Sequence, residues 1–198
     1  MELWIIESGS YSIYFGIGES AFKITILIIL ELGMEGIVGN IPGDLIAVLG
    51  AISELLDKAG VRWILAGSLG LAIQGVAVLA HDIDIISDAA GAFKIGELLH
   101  DHVIKPVEWS EGEEFASYFG QVSLNGVLVE IMGDLQAWEG DSWHDLSSRL
   151  ENPVLVRMEG IVVPVSSLED ELKSYRSSGR VKDLGKAAAI ERVLKRGS

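Results

Sequence analysis

Asp82 and Asp84 stand two apart in the run Asp82-Ile83-Asp84-Ile85-Ile86, thirteen residues after the pair Gly67-Ser68. Side chains in a strand alternate between faces, so both carboxylates would project from one side and Ile83 and Ile85 from the other. Two like charges held together are costly unless a cation lies between them. Mg2+ or Mn2+ would suit the pair, since these hard ions take oxygen ligands and keep positions for phosphate and water. Glu130 is a third acid, the only charge in the apolar run 127–132. A lone acid in a buried strand needs a partner. If that strand lies beside Asp82, Glu130 would complete a three-carboxylate cluster. Two ions held there would activate an attacking hydroxyl and stabilise a leaving pyrophosphate. Asp134, after Gly133, ranks second as the third acid because it falls where that strand ends.

Gly67 permits close backbone approach, and the helix that follows would offer free N–H groups to an anion, with the Ser68 hydroxyl as a further donor. The elements that must hold these residues can be read along the chain. Leu45, Ile46, Val48, Leu49, Ile52, Leu55 and Leu56 have helical spacing, with Asp44 as expected N-cap and an end near Gly60. A strand over 61–66 leads into a short helix closed by Gly75. A strand over 82–87 and a helix over 90–102 follow, then a strand over 103–109 and an acidic loop at 111–114. Asn125-Gly126 between two apolar runs predicts a hairpin with a type I′ turn. A second hairpin turns at Glu159-Gly160, and from Ser166 the chain reads as helical with a break at 177–179. Trp138, Trp143 and His144 fall in a further acidic loop, more suited to packing on the sheet than to forming an acceptor pocket or lid. His81 would face away from the carboxylates, as an ordinary strand-edge histidine. The fold class is therefore α/β (α+β): a mixed β-sheet flanked by helices, with a C-terminal helical element. The expected divisions are an N-terminal extension over 1–33, an α/β domain over 34–165 and the helical element over 166–198.

Bulk properties narrow the functions. The chain has 198 residues, 49% of them hydrophobic, which fits one large core-forming domain. A formal net charge of −14 argues against sequence-independent binding of long nucleic acids. Charge is uneven, however: Lys173, Arg176, Arg180, Lys182, Lys186, Arg192, Lys195 and Arg196 are eight of the fifteen basic residues and all lie within the last twenty-six positions. They form either a solvated helix face or a phosphate-facing one. Cysteine is absent, so thiolate chemistry and disulfides are excluded and a cytoplasmic location is expected. The apolar segment 24–32 is too short to cross a bilayer and lacks the features of a signal peptide. It reads as a buried strand or helix, or as part of the N-terminal extension, with Met34 an alternative start.

Taken together, the apolar strand ending in Gly67-Ser68, the Asp82-x-Asp84 pair between apolar residues and the later acid Glu130 resemble the nucleotidyltransferase superfamily related to DNA polymerase β. The text from Ala66 to Val76 is most similar to its small prokaryotic members, the minimal, antitoxin-like and AbiEii-like proteins, and Gly179-Arg180-Val181-Lys182-Asp183-Leu184 is similar to a C-terminal helix opening found in several of them. The resemblance spans about 43–195. It implies that Asp82 and Asp84 bind two Mg2+ or Mn2+ ions, that Glu130 helps activate the acceptor hydroxyl, and that Gly67 and Ser68 hold the triphosphate of an NTP, with ATP the expected nucleotide. Lys173, Arg180 or Lys182 would neutralise phosphate charge, although Lys182-Asp183 reads more readily as an internal ion pair anchoring the helix. The acceptor would be a small molecule or a protein side chain, and a partner protein or homo-oligomer is compatible with the pattern. The sequence departs from the family where Arg-x-Thr-x often precedes the first Asp: here stand Val78, Leu79, Ala80 and His81. A catalytically degenerate member that acts by binding a toxin–antitoxin partner is the alternative.

Overall fold

The computed structural model describes residues 41–158, 160–178 and 180–196, together with the backbone alone of 11–17, 20–27, Val181 and Lys182. The expected extension 1–33 falls largely outside this set, as does Met34. Of the apolar segment 24–32, only the part within strand β2 is described.

Ten strands form one mixed sheet among the described residues. They are β1 (Tyr11–Ile17), β2 (Ser20–Leu27), β3 (Trp63–Ala66), β4 (Asp82–Ser87), β5 (Val103–Glu111), β6 (Phe115–Leu124), β7 (Val127–Glu139), β8 (Ser142–Asp145), β9 (Val154–Met158) and β10 (Ile161–Val165). The order is β1-β2-β9-β10-β3-β4-β7-β6-β5, with β8 paired to β7. β4 and β7 run parallel, as do β10 and β3 and β2 and β9, and the other pairs are antiparallel. Five helices flank the sheet: α1 (Gly43–Lys58), α2 (Gly67–Ile73), α3 (Ala89–Leu98), α4 (Leu168–Ser177) and α5 (Val181–Leu194). The α/β architecture read from the sequence is thus the observed one.

Period decides which face each residue serves. Leu45, Val48, Leu49, Ile52 and Leu56 on α1 are buried with Ile83, Ile85, Val129 and Ile131, forming the main core between the sheet and α1 and α3. The opposite face carries a smaller cluster, Ile64, Ala66, Ile86, Leu135 and Ala137. A third cluster packs Leu71 of α2 against Tyr175, Ala187 and Ile190 of α4 and α5. Asp82 and Asp84 therefore project away from the main core, on the side of the C-terminal helices.

β7 contributes to both faces because it contains a bulge. The β6–β7 pairing shifts register between Ala116 and Tyr118, opposite Gly133–Gln136, and Asp134 takes a left-handed φ of 48°. Before the bulge Val127, Val129 and Ile131 face the main core; after it Leu135 and Ala137 face the other side. A Cβ on Gly133 would lie 2.6 Å from that of Ala92, so the strand passes against α3 where only glycine fits. The bulge also turns Asp134 toward α3, where its carboxylate accepts from the Ala89 N–H at 2.9 Å. That is a capping position at a helix N-terminus, which removes Asp134 from the other two acids.

Three local expectations need correction. Asp44 is not the cap of α1: the helix begins at Gly43 after Pro42, whose carbonyl accepts from Leu45 and Ile46, and Asp44 lies inside the first turn. The acidic loop at Trp138–His144 is instead the β7–β8 hairpin, turning through Gly140 at φ 68°. Its Trp138 and Trp143 stack edge to face at 5.2 Å. The helix expected over 90–102 ends at Leu98 and continues as one 3-10 turn over His100–His102. Both hairpins read from Asn125-Gly126 and from Gly160 are present, with φ of 51°, 83° and 85° at those three residues.

Candidate active site

A straight row of paired residues crosses the sheet on the side of α4 and α5. Ala66 pairs with Asp84, Asp84 with Glu130, Glu130 with Gln121, and Gln121 with Lys105. Paired residues point to the same face and sit about 5 Å apart per strand step. Asp84 and Glu130 are therefore side by side, with Asp82 one pleat along the same strand. Ala66, Asp84, Glu130 and Lys105 of this row form the floor of a cavity of about 460 Å³, whose other wall is supplied by Arg149, Glu171, Tyr175, Arg180 and Lys186.

Gly67 brings backbone against this floor. It has a left-handed φ of 62°, and a Cβ built there would stand 1.8 Å from Asp84 Oδ2. No side chain can share that space with the carboxylate. Gly67→Ala is expected to lower stability by about 2 kcal/mol or more, through both the strained φ and the displaced carboxylate, as read by urea denaturation. An unchanged midpoint would mean that Asp84 is free to move aside.

Charge is concentrated here. Burial pushes the Asp84 carboxyl up to about 7, and repulsion from Asp82, Glu130 and Glu171 adds to it, while Lys186 acts in the opposite sense. Glu171 is itself raised by burial, opposed chiefly by Arg149. Arg149 and Glu171 form a buried pair at 3.5 Å, each with 6% of its side chain exposed. Arg149 also donates to the Asp170 carbonyl at 3.0 Å and to the Ser174 hydroxyl. The Lys186 ammonium lies 5.0 Å from the Tyr175 ring centroid.

The residues singled out from sequence fall into distinct places. Gly67, Asp84, Glu130 and Arg180 line the cavity; Asp82 and Ser68 are half-buried beside it but are not part of its lining. Lys173 is 66% exposed and faces Glu139 at 3.7 Å, away from the cavity. The Lys182 side chain lies outside the described residues. The Lys182–Asp183 pair therefore lies outside the described residues as well, and Asp183 is held by Arg180, whose Nε donates to Asp183 Oδ2 at 2.6 Å and lies 3.1 Å from Glu114. The same Asp183 oxygen accepts from the Ser178 hydroxyl. His81 is exposed, and neither it nor Trp138, Trp143 or His144 lines the cavity. Among the described residues, no three of His, Cys, Asp or Glu gather closely enough to hold a metal ion by themselves. Asp82 stands off from the cavity, and one oxygen of Glu130 is engaged by Gln121 at 2.8 Å.

The sequence pattern does not single out Arg149 or Glu171 as cavity groups, and it includes Lys186 only as one of eight basic residues on a solvated or phosphate-facing helix face. Glu171 and Tyr175 are four apart on α4, so that helix presents a polar pair on one face. That spacing was the available signal. Arg149 had none, since it lies in a 3-10 turn (Ser147–Leu150) inside a polar stretch.

Comparison with known proteins now decides the family. The family model of the aminoglycoside-2''-adenylyltransferases matches residues 48–190. The chain belongs to this adenylyltransferase family. A proposed nucleotidyltransferase from Thermotoga maritima, solved by crystallography, is 36% identical, with a TM-score of 0.68 over 80% of this chain and 97% of its own. ANT(2'')-Ia, solved in complex with adenylyl-2''-tobramycin, is 10% identical, with a TM-score of 0.48 over 78% of this chain and 95% of its own. No curated protein matches. The matched segment contains Gly67 and every residue of the row, and this adenylyltransferase-family member is a nucleotidyltransferase enzyme. Its described residues include no helix long and apolar enough to cross a membrane.

Proposed function

We propose that the protein transfers a nucleoside monophosphate from ATP to a hydroxyl of a small-molecule acceptor, releasing pyrophosphate. The observation that carries this reading is the adjacency of Gly67, Asp84 and Glu130 on the cavity floor. The donor set fits Mg2+ or Mn2+. Carboxylates share one face, and burial, with repulsion from Asp82, Glu130 and Glu171 added to it, raises Asp84 to about 7, the condition that a hard cation relieves. Asp82, Asp84 and Glu130 would hold it, with phosphate oxygens and water completing the shell, consistent with the lack of a closed protein cage. The metal would polarise the reacting phosphate and lower the barrier to departure of pyrophosphate.

The chain's own groups divide the remaining work. Gly67 leaves room for the triphosphate next to Asp84, and Ser68 sits at the start of α2 to assist. Lys186 and Arg180 line the cavity from α5 and its N-cap and balance phosphate charge there. This assigns to Lys186 the part first expected of Lys173. The acceptor oxygen forms a bond to the α-phosphorus as the bond to the β-phosphate oxygen breaks, and the hydroxyl proton passes to Glu130. The family match makes an aminoglycoside-type hydroxyl compound the first acceptor to try, with a protein side chain the further option. Dependence on nucleoside triphosphate implies a cytoplasmic protein.

A partner-binding, non-catalytic member is the second reading. It draws on Leu79, 75% exposed in the segment before Asp82, where family members often carry Arg-x-Thr-x. One experiment separates the two. Each NTP with Mg2+ or Mn2+ is added and the melting temperature followed, then pyrophosphate release is assayed with tobramycin and with neutral sugars. A nucleotide at a hundred times its Kd contributes about 2.7 kcal/mol, which for a chain of this size is about 5 °C or more. If no nucleotide moves the melting temperature, the enzyme reading fails and the partner-binding one takes its place.

A further inference from the structure

Glu130 is held by a neutral donor. Gln121 stands opposite it in the β6–β7 ladder, and its Nε2–H donates to Glu130 Oε1 at 2.8 Å. Lys105 is the next residue in the row, yet its ammonium lies over the Phe119 ring, 4.7 Å from the centroid. The group on the carboxylate is thus an amide even though a cation stands one strand away. An amide orients a carboxylate without cancelling its charge, whereas a bidentate cation would do both. The neighbouring position Phe119 on the same strand face is aromatic, and Ser117 beyond it is too short to reach Glu130, so Gln121 is the residue of this strand that meets the carboxylate.

We propose that Gln121 is a positioning residue for the third carboxylate. Its amide fixes one oxygen of Glu130 and leaves the other to the cavity. The inference rests on the reading of Glu130 as an acid that serves metal and acceptor. Groups that orient a metal's ligands are worth about 10–100-fold in affinity when removed.

The test uses the Mn2+ complex of α,β-methylene-ATP, whose α–β linkage resists cleavage, titrated calorimetrically into four proteins: wild type, Gln121→Met, Glu130→Gln and the double variant. Methionine keeps length and packing but donates no hydrogen bond. The expected result is roughly tenfold weaker binding by Gln121→Met with the melting temperature nearly unchanged, and no further loss when Gln121→Met is added to Glu130→Gln. Wild-type affinity in Gln121→Met would overturn the inference, as would an equal loss in the Glu130→Gln background, which would mean that the glutamine acts elsewhere. Failure of the wild-type protein to bind the complex would overturn the nucleotidyl-transfer reading as well. The two failures are therefore distinguishable.

Discussion

Asp84→Asn should abolish transfer and at the same time stabilise the protein without its ligands. The loss follows from the position of Asp84 between Gly67 and Glu130 on the cavity floor. Asparagine keeps the shape but removes the charge around which metal and triphosphate would assemble, and a drop of roughly a thousandfold or more in turnover is expected. The gain follows from linkage. The Asp84 carboxyl is raised from 3.8 to about 7 in the folded chain, so its stabilising contribution is complete below pH 4 and disappears as pH rises through 7. Its ionised form opposes folding above that window. A gap of about three pH units corresponds to about 4 kcal/mol as an upper bound, and relaxation of the site should leave roughly 2 kcal/mol. Urea denaturation of wild type and variant from pH 4 to 8 measures it. The two curves should coincide at pH 4 and separate by pH 8, the variant being the more stable. A variant less stable at pH 8 would mean that the acid serves the fold through an ion pair, and the metal reading would fall.

Arg149→Met should be the most damaging single change to stability. Arg149 and Glu171 are both buried, and the guanidinium also satisfies the Asp170 carbonyl and the Ser174 hydroxyl. Its removal leaves Glu171 without its buried counter-charge, or forces it to take up a proton, and breaking such a pair costs about 3–5 kcal/mol. Burial already raises Glu171 against the pull of Arg149, so the variant should regain stability on acidification. Arg149→Met combined with Glu171→Leu should recover most of the loss, because two apolar groups of similar volume need no counter-charge. Denaturation midpoints of the single and double variants check this. A double variant no better than the single one would mean that Arg149 acts through α4 backbone rather than through Glu171.

The part of the site legible in sequence is the part built on unbroken alternation. β4 keeps strict period two, so the shared face of Asp82 and Asp84 could be read directly, and the Asn125-Gly126 turn fixed where β7 begins. β7 itself was read as ending near Met132 because its pattern changes phase at the bulge; a phase change and a strand end look alike in a row of letters. The β7–β8 hairpin was hidden by Glu139, Gly140 and Asp141, whose polarity suits a loop as well as a tight turn. The basic residues of the C-terminal region posed a different problem. Lys173, Arg180, Lys182 and Lys186 are equivalent in composition, and only the way α4 and α5 lie over the sheet selects Lys186 and Arg180 for the cavity and sends Lys173 to Glu139. Arg149 was invisible because its burial depends on Glu171, twenty-two residues away.

The bulge in β7 also sets how the gene can change. Upstream of it, odd-numbered residues serve the main core; downstream, odd-numbered residues serve the opposite cluster. The strand is thus written in two reading phases joined at Gly133-Asp134. Removing one codon at that junction would erase the bulge and leave Leu135 and Ala137 in the layer they now serve, but it would cost α3 the Asp134 carboxylate that caps it. The extra residue in β7 therefore serves the helix beside it rather than the layering of the strand, because it is what turns Asp134 out of the ladder and onto the start of α3.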